Sequence, residues 1–216
     1  DFVEELKKEL ISKELEISYQ EDLIDLVWEN RPSISKEKAY ELDIKYAGES
    51  RTTKLNQIKE RLNKLNADLL ILTSLDDIAW LFNLRGNDVA CNPVLLAYAV
   101  IAKSYVKLYV NEGVLSSDLI TKLNSEGISV HAYNDIYEDV RLLKDEVVVY
   151  QKNRVNYALC SLINVKKVIN EVNYTTILKA VKNETEIKNA YYAHLKDGVA
   201  VTKFIYWLKT NVGKIY

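Results

Sequence analysis

"SLDDIAWLFNLRGNDVACNPV", Ser74–Val94, follows the apolar run Leu69–Leu72 and sets the fold class. Four consecutive large aliphatic residues without polar alternation read as a short strand covered on both faces. Ser74 can cap a helix, and Asp76 and Asp77 place negative charge in its first turn, where the helix dipole favours it. Ile78, Trp80, Leu81 and Phe82 then supply an apolar face. Arg85-Gly86 and Asn87-Asp88 read as a turn, and Pro93 precedes another apolar run. A buried strand passing at once into a capped helix is the unit of an α/β layer structure.

The same alternation extends on both sides. Upstream, Ser50 can cap a helix through Leu55, Ile58, Leu62 and Leu65. Downstream, PVLLAYAVIA and SYVKLYV are separated only by Lys103-Ser104, which predicts an antiparallel hairpin and hence a mixed sheet. SSDLITKLNSEG, DIYEDVRLL and VNYALCSLINV are helical patterns, with ISVHAY and EVVVY as strands between them. The predicted class is α/β, a mixed sheet flanked by helices. Before it, Phe2, Leu6, Leu10 and Ile11 define one helical face, and EDLIDLVWEN defines another that stops at Arg31-Pro32. Residues 33–49 show little periodicity and read as a connection. At the far end, Lys182–Gly213 predicts a helix of about eight turns, with Asn183 and Glu186 in capping-box spacing. Its apolar residues call for a partner surface, so it reads as the first element of a further domain.

Composition narrows the function classes. With 29 basic and 31 acidic residues, the 216-residue chain has no net field to attract nucleic acid or a membrane surface. No apolar run approaches the roughly 18 residues of a membrane span. Two cysteines are too few for a disulfide framework, which favours a cytoplasmic protein with small core thiols at Cys91 and Cys160. The absence of methionine makes Asp1 read as a cut edge and the chain as a fragment.

Four features could carry chemistry. Asp76-Asp77 at the end of a strand could bind magnesium or accept phosphate, but one phosphotransfer family needs a carboxylate two residues after the first, where isoleucine stands. A helix start is the simpler reading. Arg85-Gly86-Asn87-Asp88 could form an anion nest, or a turn whose arginine pairs with a carboxylate; no G-x-G-x-x-G or Walker pattern supports the former. His131 falls on an alternating strand, and His194 has no second histidine at i+4. Glu186 and Asp197 are too far apart along their helix to act together. No catalytic constellation emerges from these residues.

LVWENRP, KYAGES, KLNQIKERL, LTSLDDIAWLFNLRGNDVACNPVLLAYAVI and LKAVKNETEIKNAYYAHLKDGVAVTKFIYWL occur in an order that resembles the long form of aminopeptidase P. These are Xaa-Pro aminopeptidases of the creatinase/prolidase superfamily. The resemblance implies three parts: residues 1–48 as the tail of a first creatinase-N-like domain and its linker, 49–177 as a second such domain, and 178–216 as the entry helix of a pita-bread catalytic domain. It implies no catalytic or metal-binding residue in this chain. Two manganese or similar divalent ions would lie in the catalytic domain, the partner of this one. The substrate would be a peptide with penultimate proline, and the full-length protein could form a homodimer. Asp76, Asp77, Trp80, Gly86 and Pro93 would be structural signature residues. Arg85, Asn87, Asp88 and Asn92 would lie on a structural loop or at the active-site rim. Tyr191-Tyr192 stand where the family usually has an arginine. The rival implication is a peptide- or protein-binding module of a metal-free pita-bread relative.

Overall fold

A computed structural model describes residues 2–11, 13–15, 17 and 22–213. Leu69–Leu72 forms β2, and each of its residues is buried. It runs antiparallel to β4 (Ala97–Ala102) and parallel to β7 (Val147–Tyr150). β4 also pairs antiparallel with β5 (Val106–Val110), the predicted hairpin, with Ile101 opposite Val106. β6 (Ile128–Ala132) extends the sheet beyond β5, and β8 (Lys167–Asn170) extends it beyond β7, both parallel. The strand order is β6-β5-β4-β2-β7-β8. The sheet is therefore mixed, with β4 the single strand reversed.

The period-2 alternation of the strands divides the interior into two layers. Leu70, Leu72, Ala99, Ile101 and Leu108 face one core with Leu55, Ile58 and Leu62 of α4 (Arg51–Lys64) and Leu119 and Leu123 of α6 (Ser117–Ser125). α5 (Leu75–Leu81) and α9 (Tyr174–Ala180) complete that layer. Leu69, Ile71, Val100, Tyr109 and Val148 face the other core with Ile136 and Val140 of α7 (Asp135–Arg141) and Leu159 of α8 (Tyr157–Leu162). Ser50 and Ser116 cap α4 and α6 by accepting from Thr53 N and Leu119 N.

Several elements differ from expectation. Residues 33–49 contain β1 (Tyr40–Glu41) and α3 (Ile44–Ala47), and β1 pairs antiparallel with β3 (Leu84–Arg85). These pieces are too short to develop a period. β8 and α9 carry no strong pattern, because β8 is an edge strand and α9 packs on the core through partly buried Tyr174 and Leu178 and the buried but polar Thr175. Near the amino end, α1 (Phe2–Ile11) forms a helix as expected, though Phe2 and Ile11 of its apolar face are exposed, and α2 (Leu23–Val27) is a single turn or so. The expected first helix also took in Asp1, Ser12 and Glu16, and the second Glu21; these four lie outside the described residues.

The expected long helix is α10 (Glu184–Asn211), and its capping box is present in both directions. None of its residues is buried. Leu195, Phe204, Trp207 and Leu208 are exposed by 42–59%.

Candidate functional site

Ser74 starts α5 without a side-chain cap; its hydroxyl instead accepts from Asn173 Nδ2 at 3.1 Å. The two acids that follow do more than begin a helix. Asp77 is buried, accepts from Thr176 Oγ1 at 2.8 Å, and pairs with Lys179 Nζ at 2.8 Å. Asp76 pairs with the same lysine from the surface side. Burial works to raise the Asp76 pKa, but the Lys179 hydrogen bond and charge outweigh it and hold the carboxyl below its usual range. The acidic pair thus clasps α9 against α5, and both carboxylates already have a cation.

Gly86 brings two segments together. A Cβ there would lie 3.0 Å from Val94 O and from Leu95 Cβ, so a larger residue would force β3 away from the chain entering β4. Beyond it, Asn87, Asn92 and Pro93 are exposed, and Asp88 accepts from Leu96 N at 2.6 Å. A turn spans Val89–Asn92, with Cys91 at φ 61°. Cys91 is therefore an exposed turn residue, not the core thiol expected, while Cys160 is half-buried. Arg85 also departs from expectation. Among the described residues it pairs with no carboxylate; Nη1 donates to Ala79 O at 2.7 Å and Leu84 O at 2.8 Å. The anion-nest residues are thus split, with Arg85 turned back against α5 and Asn87 at the surface.

Arg85 instead belongs to a cleft of about 180 Å³ where α10 meets the sheet domain. Its walls include Lys54, Arg85, Lys182, Glu186, Tyr46 and Asn189. Lys54 lies on the buried stripe of α4, 1% exposed, and donates to Asn83 Oδ1 at 2.8 Å and Trp80 O at 2.9 Å. Its ammonium also sits 4.2 Å from the centre of the Trp80 ring, a cation–π distance. Burial pulls the Lys54 pKa down to about 8, opposed by Glu186 and Glu49 and assisted by Arg85 and Arg51. Burial likewise lowers the Arg85 pKa, against the pull of Tyr40 and Glu186, though a guanidinium stays charged.

Two further contacts fix the helix to this cleft. Trp80 Nε1 donates to Glu186 Oε1 at 3.2 Å, and Asn183 Nδ2 donates to Ala47 O at 2.9 Å. Gly48 closes α3 at φ 72°, directly against Asn183. Lys54 and Asn83 were not singled out from the sequence. The usable signal was a lysine in register with Leu55, Ile58 and Leu62 on an apolar stripe, where a charge needs a reason. His131 and His194 stay outside this site. His131 is half-buried, with Nε2 2.9 Å from Ser129 Oγ, and His194 is exposed on α10.

Residues 30–186 match the model of the creatinase/prolidase N-terminal domain. The chain belongs to that family. Its curated relatives include a probable Xaa-Pro aminopeptidase P of Neurospora crassa, 35% identical over 204 residues, covering 89% of this chain and 30% of the relative. Another is Xaa-Pro aminopeptidase 1 of Dictyostelium discoideum, 33% identical over 98% of this chain and 35% of the relative. Among solved structures, the X-prolyl aminopeptidase of Caenorhabditis elegans, described as a cytosolic enzyme with a di-nuclear active site, superposes with a TM-score of 0.83. That match is 25% identical and covers 90% of this chain and 33% of the other. The chain thus spans about a third of the length of the relatives it matches. For this creatinase/prolidase N-terminal domain, the match includes the clasp, the Gly86 approach and the start of α10.

Proposed function

We propose that this chain is the non-catalytic middle domain of a metal-dependent Xaa-Pro aminopeptidase, an enzyme that releases an N-terminal residue preceding proline. One observation carries the reading. The chain aligns along 89% and 98% of itself with proteins named Xaa-Pro aminopeptidase, yet spans only 30% and 35% of them. In this reading residues 1–48 are the tail of a first domain and its linker, 49–177 a second domain, and 178–216 the entry into a catalytic domain. The exposed apolar side chains of α10 support the last assignment, because they await a covering surface.

The di-nuclear centre named for the C. elegans protein would have its counterpart in that catalytic domain, with two manganese or similar ions. Among the described residues no group of three or more His, Cys, Asp or Glu side chains could hold a metal, so no metal-dependent step is assigned to this chain. Its role is to pack beside the catalytic domain and limit access to short peptides. In this reading the loop from Arg85 to Asn92 lies at the rim or serves as a structural loop; its exposure at Asn87 and Asn92 is compatible with the former. A cytosolic setting and a full-length homodimer belong to the same proposal; no helix among the described residues is long and apolar enough to cross a membrane.

The test compares the 216-residue chain with a chimera in which it replaces the matching third of the Dictyostelium relative. We expect no manganese-dependent cleavage of an Xaa-Pro peptide by the chain and cleavage by the chimera. Turnover proportional to the concentration of the chain alone overturns the reading, as does a folded, metal-loaded chimera that binds the peptide without cleaving it.

A further inference from the structure

Several buried or half-buried cations of the sheet domain have carboxylate partners. Arg51 pairs with Glu41 and, at 3.3 Å, with Glu126; Arg61 pairs with Glu171. Lys107 pairs with Asp139 at 2.8 Å, and Lys179 with Asp77 at 2.8 Å. Lys54, Arg85 and Lys182, which line the cleft at the α10 stem, have no carboxylate oxygen within 4.0 Å among the described residues. Three cations and one carboxylate leave a formal excess of two positive charges there. That carboxylate is committed elsewhere, since Glu186 accepts from Asn183 N at 3.0 Å and from Trp80 Nε1 at 3.2 Å.

The donors suit an oxyanion. Arg85 uses only Nη1, for two backbone carbonyls, so Nε and Nη2 have no protein partner among the described residues. Those two nitrogens form the side edge that grips a carboxylate or phosphate bidentately. Lys182 Nζ reaches only the backbone carbonyl of Lys179. Lys54 stands behind them, held by Trp80 O and Asn83 Oδ1. The volume of about 180 Å³ equals about six waters at roughly 30 Å³ each, and lies below the roughly 300 Å³ where drug-sized pockets begin. It suits a phosphate or a small carboxylate group.

We propose that this cleft binds a small oxyanion, gripped by Arg85 and Lys182 with Lys54 supplying charge from behind. Arg85 belongs to the sheet domain and Lys182 directly precedes α10, so the bound anion ties the helix stem to the domain. The proposal does not depend on the aminopeptidase reading.

The test titrates the ¹⁵N-labelled chain with inorganic phosphate and, separately, with acetate, at ionic strength held constant with sodium chloride. The Trp80 indole N–H and the Asn83 and Asn189 side-chain amides report occupancy. We expect saturable shifts confined to these groups in at least one arm. Saturation by phosphate alone assigns a tetrahedral anion, and saturation by acetate assigns a carboxylate. Arg85→Lys keeps the charge but loses the fork, and should weaken binding at least ~5-fold. Lys182→Ala, at an exposed position, should weaken it about 3-fold with the fold intact. Shifts that do not saturate in either arm overturn the site, and so does full affinity in Lys182→Ala.

Discussion

Lys54 carries a charge on a stripe that otherwise buries Leu55, Ile58 and Leu62, and its pKa reports the cost. Below pH about 8 the lysine is charged in both folded and unfolded chains, so burial of that charge opposes folding throughout. Between about 8 and 10.5 the folded chain gives up the proton while the unfolded chain keeps it, so stability must rise with pH across that window. Lys54→Met removes the effect. The measurement is urea unfolding of both proteins at pH 7.5 and 10, read as the difference between them. The subtraction matters, because Tyr98, Tyr109 and Tyr137 have pKa values raised by burial and oppose the trend above pH 10. The native protein should gain about 1–3 kcal/mol on the variant between the two conditions; parallel behaviour would show that Lys54 is solvated. At this scale the sequence was half legible. The aspartates were readable as a helix start, but their common partner Lys179 lies about a hundred residues on, and nothing local links them. Arg85 looked like a carboxylate partner because spacing says nothing about the backbone carbonyls of Ala79 and Leu84, which lie within its reach.

At the scale of elements, the stem of α10 is held by the side chains of Asn183, Glu186 and Asn189, with Trp80 and a glycine on the domain side. Asn183 serves two helices at once: its Oδ1 caps α10 at Glu186 N, and its Nδ2 binds the last carbonyl of α3 at Ala47. Gly48 permits this by turning left-handed and by lacking a Cβ, which would collide with the Asn183 side chain and lie 2.7 Å from Thr185 Cβ. Gly48→Ala should therefore release the stem and leave the sheet domain folded. Hydrogen exchange should show amides in the first two turns of α10 exchanging at least ~10-fold faster, equivalent to about 1.4 kcal/mol, with β2 and β4 unchanged. Equal protection in both proteins would mean that α10 holds itself. The capping box was plain in the sequence, since its partners are three residues apart. Its dock was not, since α3 is a single turn with no periodicity, and β1 and β3 together pair only two residues with two. Elements with enough length to repeat a pattern were legible; those defined by one or two distant contacts were not.

For the molecule as a whole, the distribution of burial separates a closed domain from a helix that leaves it. Two cores fill both faces of a six-stranded sheet, and every residue of β2 at its centre is buried. α10 adds no buried residue to either core, although Val199, Phe204, Ile205 and Trp207 lie along it. A helix buried on one side needs an apolar stripe and a facing layer; here the stripe exists without the layer. Removing residues 196–216 deletes most of that apolar surface but keeps Asn183, Glu186 and Asn189, the residues that fasten the stem. Nothing the cores rest on is lost, so the melting temperature should stay within about 2 °C, less than 1 kcal/mol for a domain of this size. The shortened chain should also self-associate less in sedimentation velocity, because exposed apolar surface of this extent favours contact between copies. A fall of more than about 5 °C would place structural weight on the distal half of α10. The helix would then be part of the fold, and its apolar side chains would no longer support a neighbouring domain.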